Sequence, residues 1–176
     1  MNMEDLPILT VSEVKPDSPQ IKGEVSRWHW VGEGHIAYLY LNEDRFIEGK
    51  FRSVDESSKR VSFAIKNPDY IPEVKPGESI PYFDGYWGER AIIVLDHSLE
   101  WNETSFKVRD AVFHYKDGTT KVEPDVWDHE HCAICWATIS ENDNQRYMKS
   151  SQDDYVCLNC FRNYVEPKNI DFIQEA

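Results

Sequence analysis

The chain of 176 residues carries 19 Lys and Arg against 32 Asp and Glu, a formal charge of −13, with 40% hydrophobic and 13% aromatic residues. That length suits one medium domain, or one domain with a small appendage, and the apolar content supports a packed core, which excludes wholesale disorder. The acidity repels phosphate backbones and anionic lipid head groups, so nucleic acid and membrane surfaces are disfavoured and a basic protein is the expected partner.

Residues 1–10 include Glu4 and Asp5 and have no basic flank leading into an apolar stretch, so no secretory signal is expected. The apolar run Ala91-Ile92-Ile93-Val94-Leu95 is far shorter than the roughly 18 to 20 residues of a membrane-spanning helix. A cytoplasmic protein is expected.

From the start to about Pro124 the apolar pattern has period two, the signature of half-buried strands. Candidate strands cover residues 8–14 and 21–31. Ile36, Tyr38 and Tyr40 then alternate with Ala37, Leu39 and Leu41, and another strand is expected at 45–53. Val61, Phe63 and Ile65 alternate with Ser62, Ala64 and Lys66, and further strands are expected at 91–96 and 105–108. Ala111 to Tyr115 and Thr119 to Val122 flank Lys116-Asp117-Gly118, where Asp-Gly supplies the positive φ angles of a hairpin turn. Prolines at 7, 16, 19, 68, 72, 76 and 81 punctuate the strands, and no segment shows a helical stripe. The expectation is a mainly β domain over residues 1–124, a small antiparallel barrel or a sandwich.

Three phrases tilt that choice. Val74-Lys75-Pro76-Gly77-Glu78, the segment Ile80 to Tyr86 and Phe106-Lys107-Val108-Arg109-Asp110 resemble sequences in the β-barrel domains of elongation factor Tu and related translation GTPases. The resemblance spans residues 38–122 and implies a barrel. It includes no phosphate-binding loop and implies no nucleotide chemistry.

Two aromatic clusters stand out. Trp28 and Trp30 flank His29 on an expected strand and would share a face, reading as a core pair ahead of a stacking platform. In Tyr82-Phe83-Asp84-Gly85-Tyr86-Trp87-Gly88 the aromatic side chains either plug the barrel end or form an anchor for a partner, with Tyr82, Phe83, Tyr86 and Trp87 as the contact residues.

Beyond Pro124 the character changes, and residues 125–176 form the second expected domain, a zinc-binding module. Cys132-Ala133-Ile134-Cys135 and Cys157-Leu158-Asn159-Cys160 are two tight pairs separated by 21 residues, with no other Cys in the chain. Each pair turns two thiolates toward one point, and together they complete a tetrahedral four-sulfur site for one structural Zn²⁺. The second pair leads into Phe161-Arg162-Asn163-Tyr164-Val165, where Leu158, Phe161 and Val165 make a short apolar helical face. A knuckle and hairpin followed by a helix bearing the last two ligands resembles the treble-clef zinc fingers over residues 128–165. A zinc ribbon is the alternative form. Trp136 and Phe161 stand where a glycine often relaxes the knuckle. His129 and His131 flank the first pair as candidate hydrogen-bond partners of a thiolate or as solvated linker residues.

No catalytic residue is assigned. The zinc-deaminase pattern fails because His131 and Val156, not prolines, precede the two pairs. Asp96-His97-Ser98 reads as a turn, since neighbours on a strand point to opposite faces. Arg146, Lys149, Arg162 and Lys168 are scattered among the acids of the tail, so the module offers no basic stripe for nucleic acid. The expected function is a non-catalytic, acidic protein-interaction module, an immunity-type inhibitor of a basic toxin being one concrete form. The alternative is an enzyme or small-ligand protein with its site on the β domain and a purely structural zinc.

Overall fold

The computed structural model describes residues 3–15, 19–42, 45–67 and 73–173. Pro16, Pro68 and Pro72, expected to punctuate strands, lie outside the described residues. Two compact units emerge. The first is Met1–His97 with Asn169–Ala176, and the second is Ser98–Lys168.

The first unit is a closed antiparallel barrel of six strands: β1 (Ile8–Lys15), β2 (Gln20–Val25), β3 (Ile36–Asn42), β4 (Arg45–Asp55), β5 (Arg60–Ile65) and β6 (Ser79–Asp84). Their order is β1-β2-β5-β4-β3-β6, with β6 returning to β1, so every strand has two partners. Closure removes the exposed edges that an open sheet of this size would present. The period-two pattern explains the interior: Val61, Phe63 and Ile65 all point inward from β5. Phe51 packs edge-on against Phe63 and Tyr82, with ring centroids at 5.7 and 5.8 Å. Each such fully buried side chain contributes about 1.5–3 kcal/mol relative to exposure.

The stretch 38–122 resembling the translation-factor barrels does not coincide with the barrel, which draws on β1 and β2 and ends at Asp84. In β3 the fully buried inward residues are Ala37 and Leu39, while Ile36 is exposed.

Residues 91–96 are expected as a strand, but 91–95 belong to a helix, α1 (Gly85–Leu95), with Asp96 as its C-cap. Asp84 caps it, its Oδ1 accepting from the Trp87 N–H at 2.7 Å. Gly88, Ala91 and Leu95 recur at helical spacing and are buried, as are Arg90, Ile93 and Val94. Two glycines and the consecutive apolar run hide that stripe in the sequence. A Cβ on Gly88 would lie 2.3 Å from Tyr38 Cδ2, so the glycine lets the helix approach β3 and cover Tyr38.

The Trp28 to Trp30 segment is not part of β2, which ends at Val25. Trp30 has φ +58°, so the two indoles do not share a strand face, although both pack against the barrel core. The aromatic run after Ser79 divides by role. Tyr82 and Phe83 are fully buried, which rules them out as partner contacts in the folded unit; Tyr86 is exposed, and Trp87 is half-buried against Tyr86 and Phe172.

The second unit holds β7 (Trp101–Ser105), β8 (Arg109–His114), β9 (Thr120–Trp127), β10 (His129–His131), β11 (Thr138–Ser140), β12 (Arg146–Ser150) and β13 (Tyr155–Cys157). They form a β13-β12-β7 sheet and two hairpins, β8-β9 and β10-β11. A short helix, α2 (Leu158–Cys160), continues as a π-helical turn at Phe161–Val165. Pro124, where composition suggests a boundary, lies inside β9; the division between the units falls at His97 and Ser98. The strand expected at 105–108 is displaced, because the chain leaves β7 at Ser105 and buries Phe106. Among the described residues no helix is long and apolar enough to cross a membrane.

Candidate metal centre

Cys132 and Cys135 sit on the tight turn between β10 and β11. The pairing of His131 with Thr138 closes this hairpin, and inside it the Trp136 N–H donates to the Cys132 carbonyl at 2.9 Å and the Cys132 N–H to the Ala137 carbonyl at 2.8 Å. The Ala133 N–H donates to the Tyr155 carbonyl at 2.8 Å, tying the knuckle to the start of β13. At the other end of β13, Cys157 forms the N-cap of α2 and Cys160 closes its first turn. β12 and β13 pair from Lys149–Tyr155 to Tyr147–Cys157, which fixes where the second pair emerges.

These elements bring the four Sγ atoms within 4.8 Å of one another. That is metal-binding distance. The Cys135 and Cys157 sulfurs are 3.9 Å apart. Cys132, Cys157 and Cys160 are buried, whereas Cys135 is exposed. Backbone amides face the cluster: the Cys157 N–H donates to Cys132 Sγ at 3.4 Å, the Cys160 N–H to Cys157 Sγ at 3.5 Å, and the Cys135 amide also serves Cys132. Amides aimed at sulfur favour thiolate charge.

The thiols also act on one another. Hydrogen bonds from Cys157 and Cys160 hold the Cys132 thiol far below its usual range, while the same contacts with Cys132 push Cys157 and Cys160 up. Crowded thiols oppose one another's ionisation, and a divalent cation held by Cys132, Cys135, Cys157 and Cys160 would relieve that crowding. Four thiolates saturate a tetrahedral ion and leave no position for water or substrate.

The second unit has a small apolar core of its own. Ile139 and Val156 are fully buried and Ile134, Tyr147 and Val165 nearly so, while Trp101 packs edge-on against Phe161 at 5.5 Å. The helical face expected from Leu158, Phe161 and Val165 is thus used for packing.

Neither imidazole joins the sulfur cluster. His129 Nδ1 pairs with Asp128 at 2.6 Å, and His131 Nδ1 lies 3.2 Å from the Trp136 carbonyl. His131 thus braces the knuckle backbone, and no imidazole-to-sulfur hydrogen bond occurs among the described residues. Trp136 has φ +64°, the left-handed conformation in which a glycine is the usual residue. The sequence marks that position as anomalous without showing that a stacked histidine supports it. Asp96-His97-Ser98 follows α1 as a turn.

One further concavity escapes sequence reasoning because it depends on strand register. A groove of about 670 Å³ crosses the barrel wall over Val11, Gly23, Val61 and Val54. One bank is Thr10-Glu24-Arg60-Asp55, and the other includes Lys22, Ser62 and Ser53. Ser62 is buried and its hydroxyl has no hydrogen-bond partner.

The chain matches no family model, no curated protein and no solved structure. The geometry of the four-cysteine cluster therefore carries the conclusion: the second unit gathers four sulfurs at metal-binding distance, an arrangement suited to an ion such as zinc.

Proposed function

We propose that the chain is a non-catalytic zinc protein that binds a basic protein partner. The observation that carries the metal half is the convergence of four Sγ atoms within 4.8 Å. Zinc is the ion of choice because an all-thiolate tetrahedral site suits its geometry and softness. The arrangement of knuckle, hairpin and helix supports a treble-clef form. A unit this small gains much of its folding free energy from the metal.

The partner half rests on the charge of −13, to which four thiolates around one divalent cation add a further net two negative charges. Opposite charge accelerates encounter with a cationic protein, and neutralising a basic toxin is the kind of task such a surface serves. Co-purification of the intact, zinc-loaded chain with a cationic protein, followed by association rates at rising salt, tests this reading. Rates should fall with salt; rates independent of salt would refute the electrostatic half.

Small-ligand binding on the barrel is a second reading, favoured by the groove and the unpartnered Ser62 hydroxyl. The barrel interior is filled by Phe51, Phe63 and Tyr82, so a ligand site belongs on this outer wall. Chemical-shift changes confined to Ser53, Arg60 and Ser62 on addition of a polar metabolite mixture would support it; a silent groove would count against it.

A further inference from the structure

The hairpin β8-β9 is a two-stranded ribbon with no third strand among the described residues. Apolar side chains stand open on both faces: Val112 is 53% and Val122 57% exposed on one, Phe113 41% and Tyr115 51% on the other. A hairpin alone is marginal in water and becomes stable on gaining a strand or a packed face. Its base is held by Glu130, which forms an ion pair with Arg109 and accepts from Trp127 Nε1 at 2.8 Å. Among the described residues no comparable tie from outside the hairpin holds the outer half.

The two outer edges differ. β9 carries Pro124 and the left-handed Asp125 (φ +55°), and its register against β8 is broken there, all of which blunt an edge. β8, Arg-Asp-Ala-Val-Phe-His, contains neither proline nor glycine. The Tyr115 N–H donates to the Thr119 carbonyl at 2.9 Å, so this is a bonded pair. Bonded pairs alternate along an antiparallel ladder, which makes Phe113–Lys121 and Ala111–Glu123 the next ones. The N–H and C=O groups of Val112 and His114 therefore face the open edge.

We infer that β8 pairs antiparallel with β8 of a second copy of this chain, across a two-fold axis through Val112. The strand is complementary to itself in that register. Val112 meets Val112, the small Ala111 meets the large Phe113, and the acidic Asp110 meets His114. The Asp110 Oδ1 accepts from the Asp125 N–H at 3.2 Å, which leaves its other carboxylate oxygen for the imidazole. The outward backbone groups also coincide, because pairs 112–112 and 110–114 are two residues apart and both become bonded. The product is a four-stranded sheet, β9-β8-β8-β9, in an isologous dimer. Each copy carries −13, so the copies repel one another and salt tightens the dimer by screening. This response is opposite to that of a cationic partner, so the two proposals stand or fall separately.

Sedimentation equilibrium of the intact, zinc-loaded chain at low and high salt tests the pairing. A dimer that tightens with salt is expected, as is a monomeric Val112→Lys variant with unchanged circular dichroism and metal content, since it sets two ammonium groups face to face. Under mild oxidation Val112→Cys should form a covalent dimer, because bonded antiparallel partners have Cα atoms about 5.5 Å apart. Val122→Cys, equally exposed on the same face, should not, because its copies would lie about 14 Å apart across three strand spacings. A monomer at both salts, a dimer that survives Val112→Lys, or a Val122→Cys variant that cross-links as fast as Val112→Cys would overturn the inference.

Discussion

The His131 imidazole lies flat on the Trp136 indole, the rings 3° from parallel with centroids 5.0 Å apart. Trp136 is the residue whose left-handed backbone closes the first cysteine turn, a conformation costing about 1–2 kcal/mol for a side chain with a Cβ. The stack and the approach of His131 Nδ1 to the Trp136 carbonyl offset that cost.

Replacing the indole separates the two effects. Trp136→Ala keeps the backbone strain and loses the stack, so the zinc-loaded second unit should lose about 1 kcal/mol, comparable to other aromatic pairs. Trp136→Gly loses the stack and the strain together and should be more stable than Trp136→Ala. Thermal denaturation of the two variants with equal metal content gives the order, and the reverse order would remove the strain argument.

For the metal, one equivalent of zinc per chain is expected, measured by elemental analysis after gel filtration. Cys160→Ser removes a buried ligand and should abolish both the metal and the folding of the second unit. Cys135→Ser should likewise lose the metal, and in the native chain Cys135, the exposed member of the four, should be the first thiol alkylated when zinc is withdrawn.

The acid response follows from the ligands. Each sulfur must give up its proton to bind the ion, so protons compete with zinc and affinity falls as pH falls. Release to a chromophoric chelator should accelerate on acidification, with loss of second-unit structure in parallel. Zinc retention that does not change with pH would be inconsistent with four thiolate ligands.

Alkali should act on the barrel. Burial pushes the Tyr82 phenol well above its usual range, and its hydroxyl donates to the His29 carbonyl at 2.7 Å and the Arg27 carbonyl at 3.2 Å. A folded-state value raised above the unfolded one leaves the stabilisation complete below about pH 10, the unfolded value, and removes it as pH climbs toward the folded one. Burial also pushes Tyr38 up, to about 12. Tyr82→Phe should cost about 1–3 kcal/mol at neutral pH through the unpaired carbonyls and should flatten the alkaline loss. Denaturant melts at neutral and alkaline pH test both statements.

How much of this is legible in the sequence depends on whether the signal is local. Val61, Phe63 and Ile65 announce a strand because the period of two is written in adjacent residues, and the cysteine pairs announce a site through their spacing. Helix α1 stays hidden because its buried face is partly a glycine, Gly88, whose role depends on Tyr38, fifty residues earlier. The sequence leaves Tyr82 and Phe83 open between plugging the barrel and anchoring a partner for a similar reason: Tyr82 pairs with Leu39 of β3 and Phe83 with Tyr38, contacts that only the closed sheet creates. The groove over Gly23 likewise needs the registers of four strands before it exists.

Helix α1 can be tested at that close approach. Gly88→Ala places a methyl group 2.3 Å from the Tyr38 ring, and a loss of about 1–3 kcal/mol is expected from overpacking. Combining it with Tyr38→Ala should recover part of the loss, whereas additive losses would mean that the two residues do not share the space.

The first unit is completed by residues from the far end of the chain: Ile170 and Ile173 are buried, and Phe172 lies against Trp87 with ring centroids 6.3 Å apart. During synthesis the ribosome therefore releases the barrel strands long before the segment that finishes their unit. The second unit is a loop to be closed in the meantime, and a loop condensed around a metal at its four cysteines would span its ends at a lower entropic cost than a slack one. Metal bound at the four cysteines during translation would thus quicken the maturation of the other unit.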